Sequence, residues 1–314
     1  MVNRQLECFV ACAEELNFSR AAQRLFISQQ ALSSCIQKLE QEFQVTLFER
    51  KPKIHLTVAG QELLVRAKYI LQAERDLTET LYSLSSNVVG QINVGISQLR
   101  GHTLFPLIWK EFHALYPDVR IRLIHANSIQ MSDLLLNRSI DLYIGMCYES
   151  VPSFVYEELA VEHQVCIARS SLLDEYTQGK CNAYFESGKE NGVLLEEFAA
   201  LADFPYILPS LSNRTRKNID HHFYERHIIP NVVLESISYV LINELCSAGD
   251  GVGIVSQLSI PDAFYKDNGM TILRINNEQL LSKIGLVYLR DHTYPPYVEQ
   301  FIDIARNSIQ AYYH

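Results

Sequence analysis

An amphipathic stretch from Thr57 to Asn87 constrains the fold of this chain most, because it is longer than a small domain can bury. Its apolar residues recur every three or four positions: Leu63, Leu64, Ala67, Ile70, Leu71, Leu77, Leu81 and Leu84. About 28 residues of helix would extend about 42 Å at 1.5 Å per residue. We predict that the apolar face of this helix pairs with a second copy of the chain. A helix packed within one subunit is the alternative.

The remaining sequence has the composition of a folded globular chain with an uneven charge distribution. Of its 314 residues, 48% are hydrophobic and 20% are charged, which allows two or three domains with cores of their own. The formal net charge of -9 counts against nucleic-acid binding. Residues 1–60, however, carry seven Lys and Arg against six Asp and Glu, so this part is at +1 and the remainder at -10.

Cysteine usage and hydropathy indicate where the protein works. The seven cysteines have no Cys-x-x-Cys spacing, which suits a reducing compartment and argues against a disulfide framework or a zinc site. Apolar runs such as residues 143–147 are far shorter than the ~18 residues that a membrane helix needs. The N-terminus also lacks the apolar core of a signal peptide. We therefore expect a cytoplasmic protein with no membrane segment, metal ion or cofactor.

The first sixty residues predict three helices followed by a hairpin. An apolar face that includes Leu6 and Phe9 predicts the first helix, and residues 20–25 form a short second helix. After a tight turn, Ser28 can cap a third helix, whose inward residues are Leu32, Cys35, Ile36 and Leu39. The opposite face of the third helix carries polar side chains: Gln29, Gln30, Ser33, Ser34, Gln37 and Lys38.

Two short helices joined by a tight turn are typical of a helix-turn-helix, in which the second helix presents hydrogen-bonding side chains to base edges in the major groove. Residues 48–56 then place Arg50, Lys51 and Lys53 around a proline between two extended runs, as in a β-wing that holds phosphates. An ordinary helical bundle with a solvated polar face has the same periodicity and is the alternative.

Five segments follow one another over about sixty positions: LECFVA (6–11), AEELNFSRAA (13–22), LFISQQALS (25–33), IQKLE (36–40) and LFER (47–50). In order and spacing they closely resemble the DNA-binding domain of LysR-type transcriptional regulators. The resemblance implies a winged helix-turn-helix whose DNA contacts include Ser19, Arg20, Ser28, Gln29, Gln30, Ser33, Ser34, Lys38, Arg50 and Lys53. The family usually has proline at position 30 and arginine at position 34, so Gln30 and Ser34 leave the operator sequence open.

From residue 91 onward, extended and helical segments alternate, which predicts α/β structure. The expected helices of a second unit are residues 214–226 and 239–248, and we place the extended segments 270–275 and 282–289 back in the first unit. Two lobes joined by two crossovers resemble the periplasmic-binding-protein-like (type 2) effector domains of the same family. The segments that are similar to family elements are YPDV (116–119), DLYIG (141–145) and AGDGVGI (248–254).

The expected fold is therefore α/β overall, in three parts. Residues 1–58 form the winged helix-turn-helix, which is all-α with a β-wing, and residues 59–90 form the long linker helix for dimerisation and a hinge. Residues 91–314 form the two-lobed effector domain, with lobe I over 91–163 and 267–314 and lobe II over 164–266. The resemblance implies an antiparallel pairing of linker helices, which sets the spacing of two recognition helices along the duplex.

Ligands of two-lobed α/β domains bind in the crevice outside the strand ends. The residues after the first strand open a helix, whose free N–H groups favour an anion, and Arg100 can add a charged fork. A similar set of polar residues, which includes Ser210, Asn213 and Arg214, is expected at the corresponding position of the second lobe. We therefore expect a small anionic effector that contacts Ser97, Gln98, Arg100, His102, Thr103, Ser210, Asn213 and Arg214. Ordinary surface charge is the alternative for Arg100 and Arg214.

Together these features predict a LysR-type DNA-binding transcriptional regulator. An enzyme is not expected, because the sequence has no Gly-x-Ser-x-Gly, His-Glu-x-x-His or Gly-rich phosphate loop. The expected partners are double-stranded promoter DNA, a small-molecule effector, RNA polymerase, and further copies of the chain in a homodimer that assembles to a homotetramer. A thiol-based redox sensor of the same fold, working through Cys166 and Cys181, is the alternative function.

Overall fold

The computed structural model describes residues 2–49, 53–83, 89–146, 151–177, 203–267 and 269–313. Its N-terminal part contains three helices, a two-stranded antiparallel hairpin and a long helix. These elements are α1 (Val2–Glu15), α2 (Phe18–Arg24), α3 (Gln29–Phe43), β1 (Phe48–Glu49), β2 (His55–Leu56) and α4 (Val58–Ser83). The three helices and the paired extended runs that the sequence predicts are confirmed.

Local hydrogen bonds explain where α2 and α3 begin. The side chain of Asn17 caps α2, and Ser28 Oγ accepts a hydrogen bond of 3.1 Å from the N–H of Ala31 at the start of α3. Between the two helices, Phe26 has a φ of 54°, in the left-handed region that reverses the chain within a few residues. The capping role of Ser28 and the tight turn after α2 are therefore as predicted.

The inward face of α3 packs into the core of the N-terminal part. Leu32, Ile36 and Leu39 are fully buried in the same cluster as Phe9 of α1. Phe48 of β1 joins them, with its ring centroid 5.5 Å from that of Phe9. Each such side chain stabilises the fold by about 1.5–3 kcal/mol relative to an exposed one. This packing fixes the orientation of α3 and leaves its polar face in solvent.

The first of two five-stranded sheets in the described residues has the order β4-β3-β5-β12-β6. β3 is parallel to β4 and β5, and β12 is antiparallel to β5 and β6. Its strands are β3 (Gly90–Ile96), β4 (Val119–Ile124), β5 (Leu142–Gly145), β6 (Phe154–Glu162) and β12 (Ser282–Leu289). The helices of this lobe are α5 (Gln98–Thr103), α6 (Phe105–Leu115), α7 (Ser128–Leu136) and α12 (Pro296–Tyr313).

The second sheet has the order β11-β7-β10-β8-β9. β8 is parallel to β9 and β10, and β7 is antiparallel to β10 and β11. Its strands are β7 (Gln164–Arg169), β8 (Tyr206–Pro209), β9 (Val232–Ser236), β10 (Val252–Ser256) and β11 (Met270–Arg274). The helices of this lobe are α8 (Ser170–Thr177), α9 (Arg214–Glu225), α10 (Tyr239–Ala248) and α11 (Asp262–Lys266), with a 3₁₀ turn at Gln257–Ser259. Another 3₁₀ turn, Glu278–Leu280, precedes β12.

The assignment of residues 270–275 to lobe I, with a boundary at 267, is wrong. β11 is an edge strand of the second sheet and pairs with β7 along its whole length. Leu273 and Ile275 are buried in the same cluster as Cys166 of the second lobe. The chain returns to the first sheet with β12. The alternation of extended segments indicates that a strand exists, but it does not indicate which sheet the strand joins.

Both sheets bring strand ends to the boundary between the lobes, where the effector crevice is predicted. β5 and β6 are each antiparallel to β12 and therefore run the same way, so β6 ends at Glu162 beside the carboxyl ends of β3 and β5. After one residue, β7 starts at Gln164, which is paired with Ser256 at the end of β10. Leu258, which follows β10, is buried in the core of the first lobe. The lobes thus meet at the carboxyl ends of their parallel strands.

The long helix α4 contacts both the N-terminal helices and the first lobe. Lys68 Nζ lies 2.8 Å from Glu14 Oε1 on α1 and 3.2 Å from Ser139 Oγ in the turn before β5. One turn further along α4, Gln72 Nε2 donates to Asp141 Oδ1 at 3.4 Å. A single helix therefore makes polar contacts with both parts of the chain that it connects.

Part of the surface of α4 keeps apolar side chains in solvent. Tyr69, Ile70 and Leu77 are 56%, 44% and 61% exposed, respectively. Of the residues that the sequence predicts for pairing with a second copy, Ile70 and Leu77 are exposed, and their pairing stays a prediction. Ala67 is buried, and Leu63, Leu64 and Leu71 pack against the core of the N-terminal part of the same subunit. The described helix extends to Ser83, and the predicted end of the helix beyond that residue and part of the hinge lie outside the described residues. Among the described residues, no helix is long and apolar enough to cross a membrane.

Candidate DNA-binding surface and effector crevice

The solvent face of α3 gathers most of the residues that are predicted to contact DNA. Gln29, Gln30, Ser34 and Lys38 are exposed, and Ser33 is half-buried. Gln30, Ser34 and Lys38 follow one another at intervals of four residues, and Gln29 and Ser33 form a neighbouring row at the same interval, so the two rows lie side by side on the helix. The side chains offer hydrogen-bond donors and acceptors of the kind that reads base edges, and Lys38 adds a cation.

Two predicted contact residues are joined to each other at the start of this surface. Ser19 Oγ donates to Gln29 Oε1 at 3.0 Å, which ties α2 to the first turn of α3. The bond fixes the orientation of the Gln29 amide. Its Nε2 remains a donor, and its Oε1 keeps a second lone pair, so a bidentate contact to adenine is still possible.

Arg20, a predicted DNA contact, is already engaged by Glu15. Its Nη2 donates to the backbone oxygen of Glu15 at 2.9 Å, and its Nε lies 3.5 Å from Glu15 Oε2. The side chain is nevertheless 65% exposed, so exchange of these surface contacts for a phosphate costs little.

The structure describes the two strands of the hairpin that follows α3, whereas residues 50–52 lie outside the described residues. β1 and β2 pair in antiparallel register, with Phe48 opposite Leu56. His55 Nε2 lies 2.9 Å from Glu49 Oε2 across the two strands. Lys53 is exposed at the end of the described part, whereas Arg50 lies outside the described residues. The structure therefore supports a wing, and the role of Arg50 in it stays a prediction.

Glu14 anchors the DNA-binding part to α4. Its carboxylate lies 2.7 Å from Arg24 Nη1 of α2 and 2.8 Å from Lys68 Nζ of α4. Burial alone would raise the pKa of Glu14, but the hydrogen bonds from Lys68 and Arg24 outweigh burial and hold the pKa below its ordinary value. Glu14 is thus ionised at neutral pH and connects three helices.

The first lobe contributes Ser97 and Arg100 to the crevice. Ser97 caps α5 directly after β3, as its sequence position suggests. Arg100 is only 7% exposed, and its Nη2 donates to Glu162 Oε2 at 2.7 Å. Glu162 is itself 3% exposed. Arg100 is therefore not an ordinary surface cation, and its charge is balanced by a buried carboxylate.

The second lobe contributes Asn213 and its neighbours. The Asn213 side chain caps α9 and donates from Nδ2 to the hydroxyl of Tyr239 at 2.8 Å. Burial raises the pKa of the Tyr239 phenol, and the nearby carboxylate of Glu162 acts in the same direction. Ser210 shares a hydrogen bond with Ser212 at 2.9 Å. The Tyr239 phenol of lobe II therefore lies near enough to the Arg100–Glu162 pair of lobe I to feel both charges, and Asn213 holds Tyr239 in place.

The other predicted effector residues are not brought to this pair. Gln98, His102 and Arg214 are exposed, and Thr103 Oγ1 donates to the backbone oxygen of Leu99 within α5. Their effector contacts stay predictions. Glu162 and Tyr239 are not among the residues predicted from the sequence, and neither is Tyr313, whose hydroxyl donates to Glu162 Oε1 at 3.3 Å. The sequence signal that points to Glu162 is its position directly before the crossing from one lobe to the other.

The cysteines of the described residues are not joined in disulfides: Cys8, Cys12, Cys35, Cys166 and Cys246. Burial raises the pKa of Cys8 and that of Cys246 to about 12, so neither forms a thiolate at neutral pH. Cys166 is buried, and its proposed partner Cys181 lies outside the described residues. Within the described part of the chain, no group of three His, Cys, Asp or Glu is arranged to hold a metal ion.

A helix-turn-helix part joined by a long helix to a two-lobed α/β domain defines a DNA-binding regulator that senses small molecules. Residues 3–61 match the family model of the bacterial regulatory helix-turn-helix protein, lysR family, and residues 85–310 match that of the LysR substrate binding domain. The chain belongs to the LysR family. It is a DNA-binding transcriptional regulator with an effector-binding domain.

Similar proteins span nearly the whole chain. The transcriptional regulator AlsR of Bacillus subtilis is 26% identical over 305 residues, which cover 96% of this chain and 94% of AlsR. The hydrogen peroxide-inducible genes activator of Pectobacterium carotovorum is 26% identical over 98% of this chain and 97% of its own length.

Solved structures of full-length regulators share the fold. CbnR in complex with its target DNA has a TM-score of 0.62 at 22% identity, over 98% of this chain and 100% of that one. Full-length OxyR of Pseudomonas aeruginosa, solved as a single-residue variant, has a TM-score of 0.70 at 19% identity, over 99% of this chain and 95% of that one.

Proposed function

We propose that this protein controls transcription from promoters whose DNA it holds through α3 and the hairpin, and that a small polar molecule in the crevice changes the form of that complex. It works in the cytoplasm as a homodimer that assembles to a homotetramer, so that two pairs of recognition helices occupy two half-sites. A ligand that favours one relative position of the lobes changes the angle between the pairs, and with it the DNA bend and the access of RNA polymerase.

One observation supports the effector site most directly. Arg100 and Glu162 are buried and Tyr239 is half-buried, and these three polar residues lie where the carboxyl ends of the strands of both lobes meet. Polar groups that converge in a crevice of this kind are what a ligand site requires. DNA binding is supported by the exposed amide and hydroxyl groups on α3 and by the likeness to CbnR, which was solved with its target DNA.

Crosslinking of the protein to its genome, followed by sequencing of the bound DNA, tests the first half of the proposal. We expect enriched promoter loci for the native chain and loss of that enrichment for the Gln29→Ala variant. Footprints of the purified protein on a recovered promoter, with and without a metabolite extract, test the second half. An identical footprint and bend in every extract fraction would show that the crevice does not control the complex.

Thiol redox sensing is a second candidate, because a relative of similar length is named for activating hydrogen peroxide-inducible genes. The high pKa values of Cys8 and Cys246 count against these two thiols as sensors. Cys166 and Cys181 are the pair that this function would use. A peroxide-dependent footprint that disappears in the Cys181→Ser protein would establish it, and an unchanged response would remove it.

A further inference from the structure

The Arg100–Glu162 pair changes the ligand class that the crevice can accept. The sequence predicts that Arg100 binds an anion, but the Arg100 guanidinium already has the Glu162 carboxylate at 2.7 Å. Both side chains are more than nine-tenths buried. A ligand with one carboxylate would either lie against Glu162, where two like charges repel, or displace it and leave it buried without a cation. A ligand with one ammonium would meet the same difficulty at Arg100.

We propose that the crevice binds a zwitterion, a small molecule that carries both a carboxylate and an ammonium group as an α-amino acid does. This inference rests on the proposed function, since it names the effector class of the same site. The ligand carboxylate takes the Arg100 guanidinium, and the ligand ammonium takes the Glu162 carboxylate. Each charge that the ligand separates then receives a new partner, so no buried charge is left uncompensated.

The groups around the pair suit such a ligand. Arg100 Nη1 lies 3.4 Å from Ser97 Oγ, Tyr313 donates its hydroxyl to Glu162, and Tyr239 of the opposite lobe is held by Asn213. All four of these neighbours are neutral, so they leave the charge of the pair balanced. Hydroxyl and amide groups also accept or donate as the ligand requires, and each of them can bind either half of a zwitterion.

Gln164 supplies an independent sign that a polar ligand belongs here. It is 1% exposed, and neither Nε2 nor Oε1 of its side chain has a hydrogen-bond partner in the described structure. It lies two residues after Glu162, at the crevice end of β7, opposite Ser256. Buried amides are almost always hydrogen-bonded, and an amide that is both donor and acceptor is suited to a polar ligand.

Calorimetry and thermal denaturation of the full-length native protein test this assignment. The probes are the twenty protein L-amino acids, added singly, and for each one that binds, the matching acid without the amine and the matching amine without the carboxylate. We expect at least one amino acid to raise the Tm, and both truncated analogues to bind at least tenfold more weakly. Binding by none of the twenty, or an acid that binds within threefold of its amino acid, overturns the proposal.

A double substitution provides the matched test at the site. Arg100→Gln combined with Glu162→Gln removes both charges together, so no charge is stranded, and we expect at least a tenfold loss of affinity for the amino acid. The exposed pair Lys283 and Glu158, changed in the same way, serves as control and should bind as the native protein does. Unchanged affinity in the Arg100/Glu162 variant contradicts the assignment. If that variant does not fold, the analogue comparison on the native protein decides alone.

The outcomes also separate this inference from the proposed function. If a metabolite extract changes the footprint but no amino acid binds, the zwitterion assignment fails and the effector site stands. If neither the extract nor any amino acid changes the footprint, the proposed function fails as well.

Discussion

At the residue scale, the buried amide of Gln164 lowers the stability of the ligand-free protein. A buried donor or acceptor without a partner costs about 1–3 kcal/mol. We expect Gln164→Leu to raise the free energy of unfolding by about 1 kcal/mol, because leucine has a similar volume and no polar atom to desolvate. Urea denaturation measures the difference.

The control is Gln257→Leu, at an exposed glutamine directly after β10, which should change the free energy of unfolding by no more than about 0.5 kcal/mol. A less stable Gln164→Leu protein would mean that the amide has a partner.

The position of Arg100 at a strand end could be predicted from the sequence, but its partner could not, because the two residues are far apart in the chain. Ser97 and Arg100 follow a strand that alternation reveals, so their place at its carboxyl end is a local matter. Glu162 is 62 positions further along the chain. Glu162 lies beside Arg100 because β6 runs in the same direction as β5. No local sequence pattern encodes this arrangement of strands. The sequence therefore placed the cation at its strand end but did not reveal the carboxylate that balances it.

Ser28 combines a structural and a predicted DNA-binding role, which two substitutions can separate. Ser28→Ala removes the acceptor for the N–H of Ala31 and should lower the free energy of unfolding by about 1 kcal/mol. Ser28→Asn keeps a capping oxygen and should restore most of that stability. Urea denaturation of the two variants, with their DNA affinities, checks this. Equal destabilisation by alanine and asparagine would show that the cap contributes nothing.

At the element scale, periodicity located the helices of the first sixty residues well, because each buries its apolar stripe against its immediate neighbours. The same reasoning misassigned β11. Of the five residues of β11 only Leu273 is buried, so the strand has a weak burial pattern. It is an edge strand, and an edge strand can extend either of two sheets. The pairing was settled by contacts of Leu273 and Ile275 with side chains of β7 and the helices of lobe II. Long-range packing therefore decides which sheet such a strand joins.

The attachment of α12 to β6 gives a pH-dependent prediction. Arg306 donates to both carboxylate oxygens of Glu157, at 2.8 and 3.1 Å, and this pairing holds the pKa of Glu157 below its ordinary value. A lowered pKa means that the stabilisation is present at neutral pH and is lost as the pH falls through the folded-state value. We expect Glu157→Gln to cost about 1 kcal/mol at pH 7, since solvent screens a partly exposed pair.

The difference between native protein and Glu157→Gln should shrink between pH 7 and pH 3, as measured by urea denaturation at several pH values. Glu158→Gln is the matched control, because Glu158 is the next residue on β6 and its partner Lys283 is largely exposed. That control should differ from the native protein by less than about 0.5 kcal/mol at every pH. A pH-independent cost for Glu157→Gln would contradict the ion-pair explanation.

At the scale of the whole molecule, α4 is the connection through which the crevice can influence the DNA-binding surface. Lys68 contacts Glu14 on one side and Ser139 on the other, and Gln72 contacts Asp141 just before β5. Asp141 also accepts a hydrogen bond of 2.6 Å from the N–H of Asn93 in β3, whose end carries Ser97. A polar path therefore runs from the first strand of lobe I to α1. The sequence indicated the helix but not these contacts, which depend on the docking of distant segments.

The separate contributions of the hairpin and of α3 to DNA binding can be measured on the full-length protein. Each phosphate contact contributes about 0.9 to the slope of log K against log salt. Arg50→Ala should weaken operator and random DNA alike and lower that slope by about one per protomer. Gln29→Ala should leave the slope unchanged and relax the preference for operator over random DNA, because an amide reads base edges and neutralises no phosphate.

The control is Arg120→Ala, at an exposed arginine on β4 of the regulatory part, which should alter neither the salt slope nor the preference for operator DNA. Titrations of both DNAs at several salt concentrations give all these values, and equal effects of Arg50→Ala and Gln29→Ala would contradict the assignment of phosphate contacts to the hairpin and base contacts to α3.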